Sequence, residues 1–114
     1  MTTISPDRIA QIEHLRDEVQ ASMTRADLDP AEFVRLSKHY AELEPVAKAA
    51  GELRMLREEL AGLSALLADP ATDADMKNLA QEESADLIAR IPQAERALAL
   101  QLLPRDAADA RPAM

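Results

Sequence analysis

The chain has 114 residues, the length of one domain or a piece of one. Its 21 acidic and 13 basic residues give a formal charge of -8, which argues against autonomous nucleic-acid binding through a basic face but leaves room for a local contact inside a large ribonucleoprotein. Cysteine is absent, which excludes disulfides and thiolate metal sites and fits a cytoplasmic protein.

The N-terminal stretch "MTTISPDRIAQIEHL" is not expected to be a signal peptide, because Asp7 and Glu13 interrupt it. The most apolar run, "ALALQLL" at residues 97–103, is far shorter than the roughly 20 residues a membrane span needs. The chain therefore reads as soluble. Apolar residues make up 47% of it, but 23 residues are alanine and only Phe33 and Tyr40 are aromatic. Such a composition supports helices zipped along a thin seam better than a thick globular centre.

Only two glycines, many Ala, Leu, Glu and Arg residues and few β-branched ones favour helix throughout. Proline supplies the punctuation. In "ISPDR", Ser5 is placed as an N-cap with Pro6 at the first helical position, which predicts a helix over about residues 6–26. Its stripe is Ile9, Ile12, Val19 and Met23, widened by Leu15, and "TRADLDP" ends it. "DPAE" at residues 29–32 is the clearest start signal, with Asp29 as cap, Pro30 in the first turn and Glu32 completing a capping box. A second helix follows over residues 30–68.

Its stripe runs Phe33, Leu36, Tyr40, Leu43, Ala47, Ala50, in the alternating steps of a coiled-coil seam. After a phase slip that contains Gly51, it resumes at Leu53, Leu56, Leu60, Leu63 and Leu67. Pro45 removes the donor that would bond to the Ala41 carbonyl, which predicts a kink near residues 41–46 or a break into two helices. Uninterrupted, the helix would be about 58 Å long at roughly 1.5 Å per residue. "ADPATDAD" turns the chain, with Thr72 and Asp75 as the reciprocal cap of a third helix over residues 73–103. That stripe is Met76, Leu79 or Ala80, Leu87, Ile91, Ala94, Leu98 and Leu102, with a bend at Pro92 and a stop at Leu103 before Pro104. The tail "RDAADARPAM" has no apolar periodicity and reads as a frayed end, a linker or the start of a further domain.

The expected fold is all-α: an elongated, coiled-coil-like antiparallel bundle of three helices, kinked at Pro45 and Pro92. Its seam is expected to hold Ile12, Val19, Phe33, Leu36, Tyr40, Leu43, Leu56, Leu60, Leu63, Leu87, Ile91 and Leu98.

No catalytic, cofactor or metal residue emerges. His39 and Glu42 share a helix face, but a metal needs further converging ligands and His14 lies on another helix. Glu58 with Glu59, and Glu82, Glu83 with Asp86, read as solvated faces, because acid–base work needs a pocket that perturbs a carboxyl. Ser5, Ser22, Ser37, Ser64 and Ser84 have no nucleophile context, and the isolated Gly51 and Gly62 exclude a P-loop. Tyr40 is placed in the seam with its hydroxyl at the edge. The leucine stripes pack on one another or offer a face to another chain or domain.

Three stretches then fall in a telling order: "RLSKHYAELEPV" (35–46), "DMKNLAQEESADL" (75–87) and "LQLLPRDAADAR" (100–111). Together they resemble the N-terminal helical domain of the bacterial peptide chain release factor 1 family, class-1 termination factors that recognise UAA and UAG. The release factor 2 type is less similar, chiefly at "AELEPV" and "LLPRDAAD". The resemblance covers nearly the whole chain, most strongly from Phe33 onward. In the family, the LLP-x-D stretch is followed by a codon-reading domain and one carrying a Gly-Gly-Gln tripeptide that promotes peptidyl-tRNA hydrolysis. Neither motif is present: Gly51 and Gly62 stand alone, and the only Pro-x-Thr, Pro70 to Thr72, lies in an interhelical turn.

The chain is therefore expected to be a fragment, with residues 1–104 as the helical domain and residues 105–114 as a linker or the start of a missing domain. The resemblance implies a docking role toward the GTPase-associated region of the large ribosomal subunit, its stalk-base protein and the class-2 release-factor GTPase. It implies no catalysis and no cofactor. Helix faces left uncovered would support self-association. The rival readings are a stand-alone helical adaptor or self-associating coiled coil and, more remotely, a small hydrolase.

Overall fold

The structure, a computed structural model, describes residues 4–103. They form three helices, α1 (Pro6–Met23), α2 (Pro30–Ala68) and α3 (Ala74–Gln101), and no strand occurs among them. No helix among the described residues is long and apolar enough to cross a membrane. The tail beyond Leu103 lies outside the described residues.

Local chemistry sets each helix end. Ser5 is extended, and its hydroxyl accepts the Arg8 amide at 3.1 Å, while Pro6 occupies a first-turn position that needs no donor. α1 stops at Met23, short of the predicted residue 26. The Thr24 hydroxyl donates to the Ala21 carbonyl at 2.8 Å, and the Thr24 and Arg25 amides bond three residues back. This tightened turn satisfies the free carbonyls and ends the helix.

At α2 the predicted capping box does not form. Asp29 stands at the N-cap but its carboxylate makes no capping bond, and Glu32 pairs with Arg35 at 3.4 Å instead of reaching back. Pro30, with φ already helical, starts the helix, and the two carboxylates favour the positive end of its dipole. α2 then runs without a break through Pro45, as α3 does through Pro92. Each proline costs one backbone donor. Continuous packing on both sides of Pro45 holds the helix together, with Ala47 and Ala50 buried directly beyond it.

The predicted Thr72–Asp75 cap is replaced by a different division of labour. The Thr72 hydroxyl donates backward to the Leu66 carbonyl at 2.8 Å and so closes α2. Asp73 caps α3, its carboxylate accepting the Met76 amide at 2.9 Å. Asp69 accepts the Ala71 amide at 2.9 Å and shapes the turn between them. At the other end α3 finishes at Gln101 rather than Leu103, because the Leu102 amide is shared between the Leu98 and Ala99 carbonyls and the Leu103 amide bonds three residues back, which tightens the turn.

α2 is the beam against which both other helices lie. Arg54 faces Glu13, and Arg16, later on α1, faces Glu44, well earlier on α2, so α1 runs antiparallel to it. Arg57 faces Glu95, while Glu59, later on α2, lies beside Glu82 and Glu83, earlier on α3, so α3 is antiparallel as well. α1 covers the first part of α2 and α3 the second part. Their footprints overlap through the middle of α2: Ile9, Ala50, Leu53 and Leu98 form one buried cluster there, and Pro6, Ile9 and Ala10 of α1 still lie along Arg54, Arg57 and Ala61 where Arg57 meets Glu95 of α3. The radius of gyration is 19.4 Å, against about 13 Å for a compact domain of this length, and the extents are 60 × 44 × 18 Å.

This stagger explains which seam residues are buried. Val19, Leu87 and Leu98 are buried, while Ile12, Leu36, Tyr40, Leu43, Leu56, Leu60, Leu63 and Ile91 are half-buried. Phe33 is 45% exposed and leaves the expected seam. With Arg16 opposite Glu44, α1 ends near about residue 37 of α2, one turn short of Phe33. Leu53, outside the expected seam set, is wholly buried because helices reach it from both sides. On α3, Ala80 faces inward while Met76 and Leu79 are exposed. Next along that face, the Ser84 hydroxyl is buried and has no hydrogen-bond partner among the described residues.

Three substitutions test this packing by denaturation followed by circular dichroism. Leu53→Ala is expected to destabilise by about 2–5 kcal/mol, the cost of a core cavity. Gly62→Ala, where an added methyl meets nothing within 4 Å, is expected to stabilise by about 1 kcal/mol and raise Tm by about 4 °C. Ser84→Ala removes an unpaired buried hydroxyl and is expected to stabilise by about 1 kcal/mol, whereas a clear loss would reveal a partner for that hydroxyl.

Candidate functional site

Charge pairing at the waist of the molecule decides where free charge remains. Arg54 of α2 grips Glu13 of α1 with two bonds, Nε to Oε1 at 2.9 Å and Nη2 to Oε2 at 3.2 Å, and also reaches Glu58 at 3.3 Å. The Glu13 bond, ahead of Glu58, raises the Arg54 pKa above its ordinary value. Gly51 leaves room for this carboxylate, since a Cβ there would stand 3.0 Å from Glu13 Oε2. Arg57 meets Glu95 of α3 at 3.0 Å, with both side chains largely covered. Arg16 bonds Asp17 at 2.9 Å and Glu44 at 3.5 Å. Three guanidinium groups are thus committed to holding helices together.

The remaining charge is lopsided. Residues 58–86 contain eight carboxylates against Lys77 alone, so this end carries nearly all of the chain's formal charge of -8. Antiparallel register then brings Glu59 of α2 beside Glu82, Glu83 and Asp86 of α3 along one open groove. Leu87 lies in its floor, and Arg90, 3.5 Å from Asp86, is its only cation. The groove continues past Glu59 and Arg90 into a second depression floored by Met55, Leu56 and Ala94 and flanked by Glu52 and Gln93. A separate depression between α1 and α2 is mostly apolar, lined by Pro6, Ile9, Ala10 and Ala61, with Arg54, Arg57 and Glu58 around it. All three open broadly to solvent.

The structure redistributes the residues singled out in the sequence. Glu58 and Glu59, adjacent in the chain, point to different sides: Glu58 joins Arg54, and Glu59 joins the α3 carboxylates. The groove was invisible as a site because its two acidic clusters lie far apart in sequence. Summing charges across the antiparallel register of α2 and α3 is the signal that finds it. His39 and Glu42 are exposed, and no group of three or more His, Cys, Asp or Glu suited to a metal gathers among the described residues. His14 pairs with Glu18 at 3.0 Å. Ser5 serves as a cap, and Ser84 is buried on the α3 seam. Among the described residues, the titratable groups lie along open grooves and exposed helix faces.

A family model described as the PCRF domain matches residues 10–114. The chain is 47% identical over 112 residues to a peptide chain release factor 1 of Erythrobacter litoralis, covering 98% of this chain and 30% of that protein. It is 49% identical over 114 residues to the peptide chain release factor 1 of Zymomonas mobilis subsp. mobilis, covering all of this chain and 31% of that protein. The chain thus spans about 30% of the length of the curated relatives it matches. No solved structure gives a significant match.

Tyr40 yields a test of the α1–α2 contact. It is half-buried where Glu44, Arg16 and Asp17 gather, and desolvation, followed by the nearby Glu44 carboxylate, raises its phenol above the ordinary value of 10.0. The folded chain therefore keeps a proton that the unfolded chain has begun to lose. Stability from this group is intact below about pH 10 and declines as pH rises through the folded value. Tyr40→Phe is expected to show a shallower alkaline decline in urea titrations than the wild type, with identical slopes counting against the contact.

Proposed function

The chain belongs to the PCRF-domain family, and we propose on that footing that it is the N-terminal docking domain of a peptide chain release factor acting in stop-codon-dependent termination on the ribosome. The observation that carries this reading is the 47–49% identity to release factor 1 proteins across essentially the entire chain. Residues 1–104 make up the docking domain, and residues 105–114 lead toward the segments in which such factors read the codon and act on the ester. The domain itself performs no hydrolysis, since neither Gly51 nor Gly62 belongs to a Gly-Gly-Gln tripeptide. It works in the cytoplasm.

Its partners on this reading are the GTPase-associated region of the large subunit and the class-2 release-factor GTPase. The open grooves support a binding role, because they offer area and charge without an enclosed reaction site. Exposed Leu79 and Ile88, each more than half exposed and outside the α2–α3 groove, offer apolar faces through which the isolated domain self-associates at high concentration.

A chimera tests the proposal. The corresponding region of the Zymomonas mobilis release factor 1 is replaced by this chain, and peptide release is measured on ribosomes halted at UAA. The chimera is expected to release peptide with near-native kcat/KM. Deleting the region is expected to weaken ribosome binding by about tenfold, roughly 1.4 kcal/mol of contact. A chimera no better than the deletion, although helical by circular dichroism, would falsify the reading. So would stop-codon-dependent release by the 114-residue chain alone.

A further inference from the structure

We propose that the open α2–α3 groove is the docking site for a basic amphipathic helix of another protein, an inference that rests on the docking reading for its biological setting but not for its chemistry. The floor is apolar. Met55 is 60% exposed there, beside Leu56 and Leu87, with no third helix above them. α1 lies elsewhere on α2, held there by the Glu13–Arg54 and Arg16–Glu44 pairs.

The rim is acidic and unspent. Glu59, Glu82 and Glu83 make no ion pair among the described residues, and only Asp86 has a partner in the groove, Arg90. At the waist, by contrast, Arg54 is matched by Glu13 and Glu58, and Arg57 by Glu95. The chain places its cations where they join helices and leaves its carboxylates around an uncovered apolar strip.

Charge chooses the occupant. RNA and anionic membranes are repelled by a groove that sets Glu52, Glu59, Glu82, Glu83 and Asp86 against Arg90. A second copy would bring the same acidic surface against itself, at a cost for every facing pair of like charges. A lysine- or arginine-bearing protein segment gains both attraction and apolar burial. Shape sets its form. Between residues 82 and 94 the groove follows α3 for about 18 Å, the length of roughly three helical turns. That accommodates one apolar stripe at i, i+3, i+4 and i+7 with basic residues on either flank.

The test uses the full chain and a synthetic 18-residue helix with a leucine stripe flanked by lysines. A scrambled peptide of the same composition, polyuridylate and phosphatidylserine vesicles are run in parallel. The striped peptide is expected to bind about tenfold more tightly than the scrambled one, and RNA and vesicles not at all. Glu59→Gln/Glu82→Gln/Glu83→Gln is expected to weaken the striped peptide by about tenfold, the scale of a lost steering and rim contribution. The charge-matched control Asp7→Asn/Glu18→Gln/Glu42→Gln is expected to leave it unchanged. Met55→Ser is expected to reduce the preference for the striped over the scrambled peptide.

Equal effects of the groove and control variants, equal binding of the two peptides, or tighter binding of RNA or vesicles overturns the proposal. The same triple substitutions placed in the release-factor chimera separate the two readings. Unchanged ribosome binding by a working chimera removes the groove and leaves the docking domain standing. A chimera without ribosome binding removes the docking reading, while the peptide measurements still decide the groove.

Discussion

Three helices can converge near residue 50 of α2 only because α2 is narrow there. Ala47 and Ala50 are buried and Gly51 has no side chain, so α1 and α3 both approach the backbone, and Leu53 and Leu98 fill the space between. Complete burial of each leucine contributes about 1.5–3 kcal/mol. Toward either end α2 meets one neighbour and covers one stripe, which leaves most of the remaining leucines half-exposed. Small residues at the waist thus concentrate the apolar stabilisation at one place. They also allow the rest of α2 to extend to either side, which gives the molecule its 60 Å length.

Electrostatics reinforces that geometry and then reaches outward. Exposed ion pairs contribute little individually, about 0–1 kcal/mol. Glu13–Arg54 and Arg57–Glu95 are better placed, because they are partly covered and flank the buried cluster, and the first is bidentate. Spending arginines at the waist has a consequence elsewhere. The α2–α3 end keeps its carboxylates without matching cations, so one end of the beam is strongly negative while the other, with Arg16, Arg25, Arg35 and Lys38 among its acids, is less so. The same few contacts therefore fix both the helix arrangement and the asymmetry of the surface.

Much of this was legible in the sequence because it is local. Ser5 with Pro6, the proline-marked turns and the three- and four-residue apolar steps each report on a few neighbouring residues, and the three helices follow from them. The misreadings occur where a residue had more than one use for its side chain. Thr72 could cap the following helix or close the preceding one, and the unsatisfied Leu66 carbonyl took its hydroxyl. Glu32 could complete a capping box or pair with Arg35, and it paired. Burial was the hardest to read, because it depends on stagger. A period of 3.6 places Phe33 on the seam, yet nothing local says that α1 ends before reaching it. Leu53 sits just past a phase slip, and its burial comes from a third helix that periodicity within α2 cannot reveal. The groove is hidden for the same reason, since Glu59 and Glu82 become neighbours only through the pairing of two helices.

A thin beam of this kind is poorly suited to chemistry and well suited to placement. Catalysis by charge stabilisation needs fixed dipoles in an enclosed space from which water is excluded. Here the grooves open to solvent, where single charges are screened over about 8–10 Å and direct contacts are weak. What survives screening is the sum: several carboxylates beside one apolar strip, held at a constant separation by continuous helices. Such a surface distinguishes partners by sign and shape rather than by one decisive bond. Its effectiveness depends on the helices staying in register, and that returns the argument to the waist. A cavity at Leu53 would loosen the angle of α3 against α2 and spread the carboxylates of the groove, although none of them belongs to the buried cluster.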